Sequence, residues 1–216
     1  MLCSFLLTSG VASGSSRASV SVQRRPGSIS TPQNPPPEKR DSGPAIDVLQ
    51  REVASLVQAG KLTEAEALAR EAVKSWPRDA NRRALHGAVL DQLGQAEAAE
   101  GEYREALRID SRSVIALTNL GVLLARTNRT PEALQTFERV LTIEPNHGQA
   151  IYNLAALYLS RKEYPRAIQL LEKAAGGPPE SSDDLGLLLK LADAYAHGGR
   201  AADAGRLSFV IESEIW

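Results

Sequence analysis

The chain has 216 residues, a formal net charge of −1 and an apolar fraction of 43%, with aromatic residues at 5%. This length accommodates one or two ordinary domains, and the near-neutral charge supplies no global field that would recruit nucleic acid or an anionic membrane. The only cysteine is Cys3, which excludes a disulfide framework and a thiolate metal site.

The opening stretch, MLCSFLLTSGVASGSS, has a short apolar core (Leu2–Leu7) followed by small residues around Val11-Ala12-Ser13. It is signal-like, yet it lacks a basic leading region and its core is shorter than a signal peptide normally carries. An exported, periplasmic protein and a cytoplasmic one are both compatible with this start. No run approaches the roughly 18 apolar residues of a membrane-spanning helix. From Ser9 to Pro44 the chain is rich in Ser, Pro and Gly, without apolar periodicity. Such a segment cannot bury enough surface to offset its ordering entropy, so residues 1–44 are expected to form a disordered tail. Its PQNPPPEKR run should sample polyproline II and reads as a spacer. The tail holds five basic and two acidic side chains, which leaves a net charge of −4 for the remainder.

After Pro44 a repeat begins. Ala65, Ala99, Ala133 and Ala167 are each 34 residues apart, and Ala204 follows after 37. Twelve residues before them stand Val53, Gly87, Gly121, Ala155 and Ala192, and seven after them Ala72, Ala106, Val140, Ala174 and Ile211. A fixed period outweighs any single motif as a sign of fold. Each unit contains two amphipathic stretches joined by a turn near Gly60, Gly94, Asn128, Lys162 and Gly199. Helix–turn–helix units are therefore expected at about 46–79, 80–113, 114–147, 148–181 and 185–216 in an all-α domain over 45–216. Small residues at matching places let paired helices approach at the short end of the usual ~8–10 Å. Thr130 before Pro131, and Thr63 three residues before Glu66, read as helix N-caps. Pro77, Pro145 and Pro179 punctuate unit ends, with Ser111 in the equivalent place of the second unit. Asp183-Asp184 reads as an acidic helix start, favoured by the helix dipole.

This pattern resembles the tetratricopeptide repeat family. The third unit, NLGVLLARTNRTPEALQTFERVLTIEPN, carries the family's small, Ala, aromatic and Pro positions, and NLAALYLSRKEYPRAIQLLEKA and HGAVLDQLGQAEAAEGEYREALRID follow it closely. The first unit departs, with Glu52 and Ala69 where Leu and an aromatic are usual, and the last has Ser208 at the aromatic place. The resemblance implies a right-handed superhelical solenoid of about five repeats whose first helices line a concave groove. It also implies a non-catalytic scaffold that binds a peptide or protein segment there. By position, the groove candidates are Gln50 and Arg51; Asn81 and Asp91; Thr118, Asn119 and Arg126; Gln149, Tyr152 and Asn153; and Lys190, Asp193 and His197. Asn119 and Asn153 occupy one repeat position in adjacent units, and such amides can pair with a peptide backbone without reading its side chains. The family's two-carboxylate clamp is absent: Gln50 and Ala54, Ala84 and Ala88, or Thr118 and Val122 stand where its first cation and amide belong.

Catalytic signatures are missing from the sequence. His86, His147 and His197 are isolated, and no phosphate-binding or nucleophile-elbow motif occurs. No catalytic residue, metal ligand or cofactor is assigned. Basic residues alternate with acids along helices, as in EGEYREALR, which argues against nucleic acid as partner. The alternative to a free-standing scaffold is a regulatory or docking subunit of an enzyme system encoded on another chain. Finally, Phe209, Val210, Ile211, Ile215 and Trp216 cluster near the end of the sequence. Such a patch would either fold back as a lid or join two copies in a homodimer.

Overall fold

The structure, a computed structural model, describes residues 45–176 and 184–215, with side chains as far as Glu212. The expected tail at 1–44, Pro179, Asp183 and Trp216 lie outside the described residues. Ten α-helices and no strands are described. In chain order they are α1 (Ile46–Gln58), α2 (Leu62–Ser75), α3 (Ala80–Gln92), α4 (Ala96–Ile109), α5 (Val114–Arg126), α6 (Thr130–Ile143), α7 (Gly148–Ser160), α8 (Tyr164–Ala175), α9 (Leu185–His197) and α10 (Ala201–Ile215).

The helices form five antiparallel pairs stacked in sequence. Each second helix packs on the first helix of the next pair, and successive first helices also touch one another, α1 on α3 through α7 on α9. Second helices make no comparable contacts among themselves. Tighter spacing on the first-helix side curves the stack, placing α1, α3, α5, α7 and α9 on the concave face of a right-handed solenoid.

Turn chemistry fixes the pairs. All five anticipated turn residues have left-handed backbone, with φ of 73° at Gly60, 75° at Gly94, 61° at Asn128, 60° at Lys162 and 80° at Gly199. Three of these are glycines, which adopt that region freely; asparagine tolerates it, and lysine carries a steric cost there.

The two kinds of helix start differently. The first helices α3, α5, α7 and α9 are capped by side chains, whereas α1 starts at Ala45 without a side-chain cap bond. Asp79 accepts from the backbone N–H groups of Asn81 and Arg82, Ser113 from Ala116, His147 Nδ1 from Ala150, and Asp184 from Leu187. The anticipated caps of the second helices are corrected. The left-handed turn brings α2 and α6 into the helix one or two residues early, so Thr63 and Thr130 lie inside the first turn. Lys61 and Arg129 stand at the cap positions with no side-chain cap bond. Ion pairs from those residues to Glu64 and Glu132 place an acid near the positive end of each helix.

The core explains the small-residue period. A Cβ on Gly87 would lie 2.7 Å from Tyr103 Cε1, and one on Gly121 2.7 Å from Phe137 Cε1. Both aromatic rings are buried, at 1% and 0% exposure. Where the first helix carries Ala155, its partner position shrinks to Leu171, and where it carries Val53 the partner is Ala69; each pair shares a core cluster. In the first four repeats the sizes at two positions 16 residues apart trade against each other. The departure at Ala69 is thus a swap of partners rather than a loss of packing. Glu52 is exposed because no helix covers that face of α1 among the described residues. On α10, Gly205, Ser208 and Glu212 are likewise exposed.

Candidate functional site

The concave face is the surface left when the pairs have stacked. Its residues come from the first helices at recurring positions, and the structure sorts the sequence candidates into free and committed groups.

Asn119 is half-buried on α5 and its amide has no partner among the described residues. Asn153, at the matching place on α7, donates to the Gln149 carbonyl at 2.9 Å, leaving its amide oxygen unused. Lys190 is half-buried on α9 with no acid bonded to its ammonium among the described residues. Gln50 and Gln149 are half-buried, and Arg51 is exposed with only a bond to the Asp47 carbonyl, at 3.1 Å.

Other candidates are already engaged. Arg126 is ion-paired with Asp91 of the preceding repeat, so these two neutralise each other across α3 and α5. Tyr152 is bonded to Asp184 at the start of α9; burial first, then that bond, raises its phenol pKa. Asp193 pairs with His197 Nδ1 at 3.0 Å. Thr118 is corrected: it is only 3% exposed and cannot meet a ligand at the surface.

Apolar residues missed by the sequence reading complete the face. Ile115 shares the repeat position of Asn81 and Gln149 and is 45% exposed. Leu189 shares that of Tyr152 and is 52% exposed. Between them lie Val122, Ala125, Ala156 and Leu159, all partly buried. The repeat register was enough to find them, since any residue at a groove position is a groove residue whatever its polarity. Among the described residues, the groove beside α5, α7 and α9 therefore presents an apolar floor, free amide groups and one uncompensated cation.

The convex side is different. Arg104 pairs with Glu100 at 2.6 Å and Arg108 with Glu105 at 2.7 Å, a solvated face of compensated charge. Joints between repeats are fastened by side chains on this side. Tyr158 donates to Glu138 at 3.0 Å, and Tyr195 donates to Glu172 at 2.7 Å. Burial, followed by these bonds, pushes both phenols up to about 12. Arg200 also meets Glu172 at 2.7 Å, and Arg129 meets Glu100 at 2.7 Å. His86 is an interior residue, and its partners Glu66 and Glu102 are revealed only by the fold.

Of the C-terminal patch, Phe209 is 73% exposed while Ile211 is buried at 7%. The Ile215 side chain and Trp216 lie outside the described residues. Among the described residues, no helix is long and apolar enough to cross a membrane.

Comparison with known proteins places this architecture. Family models described as tetratricopeptide repeat match residues 51–113, 85–148 and 124–181. No curated protein matches. Among solved structures, PilF of Pseudomonas aeruginosa is 24% identical, with 78% of this chain and 76% of that one aligned at a TM-score of 0.67. A tetratricopeptide repeat protein from Parabacteroides merdae is 22% identical, covering 80% of this chain and 68% of that one at 0.66. YrrB, a repeat protein with an unusual peptide-binding site, is 15% identical, covering 77% and 90% at 0.58. The repeat matches run through four of the five helix pairs, and with the left-handed turns and interlocked small and aromatic positions they identify the chain as a member of the tetratricopeptide repeat family.

Proposed function

We propose that this protein is a non-catalytic interaction scaffold that docks a peptide or protein segment in the concave groove of α5, α7 and α9. The fold is that of protein-interaction scaffolds in general; the groove assignment rests on one observation. Half-buried polar groups without partners among the described residues, Asn119 and Lys190, sit on the same face as the exposed side chains of Ile115 and Leu189. Half-buried polar groups normally find hydrogen bonds, and apolar side chains at this exposure gain by being covered. An extended or helical segment supplies both: backbone C=O and N–H groups for the amides, and apolar side chains for the floor. The similarity to YrrB, a protein with a peptide-binding site, agrees with this use of the fold.

Gln50, Arg51, Gln149 and Tyr152 extend the groove at its margins, and Arg126 and Asp193 contribute through their existing pairs. Selection of a random-peptide display library against the chain tests the assignment. Binders should be recovered, and replacing Asn119 and Asn153 together by Ala should weaken them by roughly 1–3 kcal/mol, about one net hydrogen bond per amide, with helicity unchanged. Binders indifferent to the double replacement would move the site to another face.

A further inference from the structure

His86 occupies a core position. The residues at the same place in the next three repeats are Leu120, Leu154 and Leu191, which are 7%, 2% and 0% exposed. His86 itself is 7% exposed. Its imidazole lies between second helices of two repeats: Nε2 is hydrogen-bonded to Glu66 Oε1 on α2 at 3.3 Å, and Nδ1, buried without a hydrogen bond, faces Glu102 Oε1 on α4 at ion-pair distance, 3.5 Å. Glu66 in turn stands where the second repeat has Glu100 and the third and fourth have Leu134 and Ile168. The leucine–aliphatic contact of the third and fourth repeats is thus an ionisable one here.

From the geometry we propose that His86 makes the joint between the first and second repeats a proton-dependent lock, closed when the imidazole is charged and loosened when it is neutral. Only the imidazolium can donate from both nitrogens at once. A neutral ring would turn a lone pair toward one of the two carboxylates, leaving a buried like-polarity contact. The surrounding groups are few. Arg70 Nη1 lies 3.5 Å from Glu66 on α2, and Arg83 Nη1 lies 3.0 Å from Glu102 on the other side of the ring. Among the described residues, α1 and α5, which also pack on α3, bring no charged group to it.

Energetics follow the geometry. Burial opposes the charge, but the close contacts with Glu102 and Glu66 and their fields prevail, so the His86 pKa is raised above its ordinary value. The complementary effect holds Glu102 below the usual carboxylate range, chiefly through its contact with His86. A pKa raised on folding gives stability that is complete below the unfolded value, about 6.5, and lost as pH climbs through the folded one. The loss is local. Leu49, Val53, Ala65, Ala69 and Ala72 share a small core with Leu85 and Val89 of α3, separate from the main cluster. Other joints rest on tyrosine–glutamate and arginine–carboxylate contacts, which keep their charge state through neutral pH. Deprotonation of His86 would therefore release α1 and α2, which carry Gln50 and Arg51, while the groove of α5, α7 and α9 stays in place.

Hydrogen exchange resolved by segment tests this in the full chain without any groove ligand, so its outcome is independent of the docking proposal. Between about pH 6 and about pH 8.5, and after correction for intrinsic exchange, protection in α1 and α2 should fall about fivefold or more, the scale of one net hydrogen bond. Protection in α6 and α8, whose starts carry no histidine cap, should change by less than about twofold. His86→Leu, which installs the residue of the sister repeats, should abolish the difference; should that variant not fold, Glu66→Gln should shrink it. Equal loss in all helices, no loss in α1 and α2, or an undiminished loss in the variant would overturn the proposal. So would a His86 ring signal titrating at or below about 6.5 in the wild-type chain.

Discussion

Two glycines in helices should respond to the same substitution with opposite sign. Gly101 lies within α4, and a Cβ there meets nothing within 4 Å. Gly101→Ala should therefore stabilise by about 1 kcal/mol, the difference in helix propensity. Gly121, within α5, gains the same propensity but sets its new Cβ 2.7 Å from Cε1, 2.8 Å from Cζ and 3.0 Å from Cδ1 of Phe137. That ring is fully buried and cannot swing aside into solvent. Overpacking of about 1–3 kcal/mol outweighs the propensity, so Gly121→Ala should destabilise by about 1 kcal/mol net. At this chain size that is a Tm shift of about 2–4 °C in either direction. The fourth repeat supplies the remedy, since it already uses Ala155 with Leu171. Phe137→Leu alone should cost about 1 kcal/mol through the space it empties, yet combined with Gly121→Ala it should cost less than the sum. Urea unfolding of the four proteins gives the coupling, expected at about 1 kcal/mol or more, beyond the ~0.3–0.5 kcal/mol tolerated for independent sites. Additive effects, or a loss of stability in Gly101→Ala matching that in Gly121→Ala, would refute the packing register.

Lys162, held at φ 60° where three other repeats use glycine, should tolerate Lys162→Gly with a gain of up to about 1 kcal/mol by thermal melting, because relief of the left-handed strain exceeds the entropic cost of glycine. Glu138 is exposed, and sequence position alone predicts that Glu138→Ala changes little. Its bond from Tyr158 at 3.0 Å instead predicts a loss of about 0.5–1.5 kcal/mol, absent when Tyr158 is already Phe.

The helical pairs, their five turns and the small-residue contacts were legible because each is a local consequence of spacing: the turn residues, Gly87 and Gly121 all sit at fixed repeat positions. Helix starts were less so. The caps assigned to Thr63 and Thr130 failed because a left-handed residue two or three positions earlier had already set the helix direction. Asp79 and Ser113 could have been read as caps, since each precedes an apolar-periodic run. The candidate side chains lie on first helices, but which of them are free was not readable. The Asp91–Arg126 pair joins residues 35 apart, and Tyr152 is drawn to Asp184 across a repeat boundary. Partnerships of this kind depend on the stagger between helix pairs, which composition does not encode.

Docking through the first-helix face is tested most directly by photocrosslinking from single positions in the living cell. A crosslinking amino acid at Ile115 or at Leu189 samples the groove, and one at Gln135 or at Gln169, both exposed on second helices, samples the convex side. The account predicts one common protein adduct from Ile115 and Leu189, lost when Asn119 and Asn153 are both Ala, and none of that adduct from Gln135 or Gln169. The same adduct arising from the convex positions and not from the groove would contradict it.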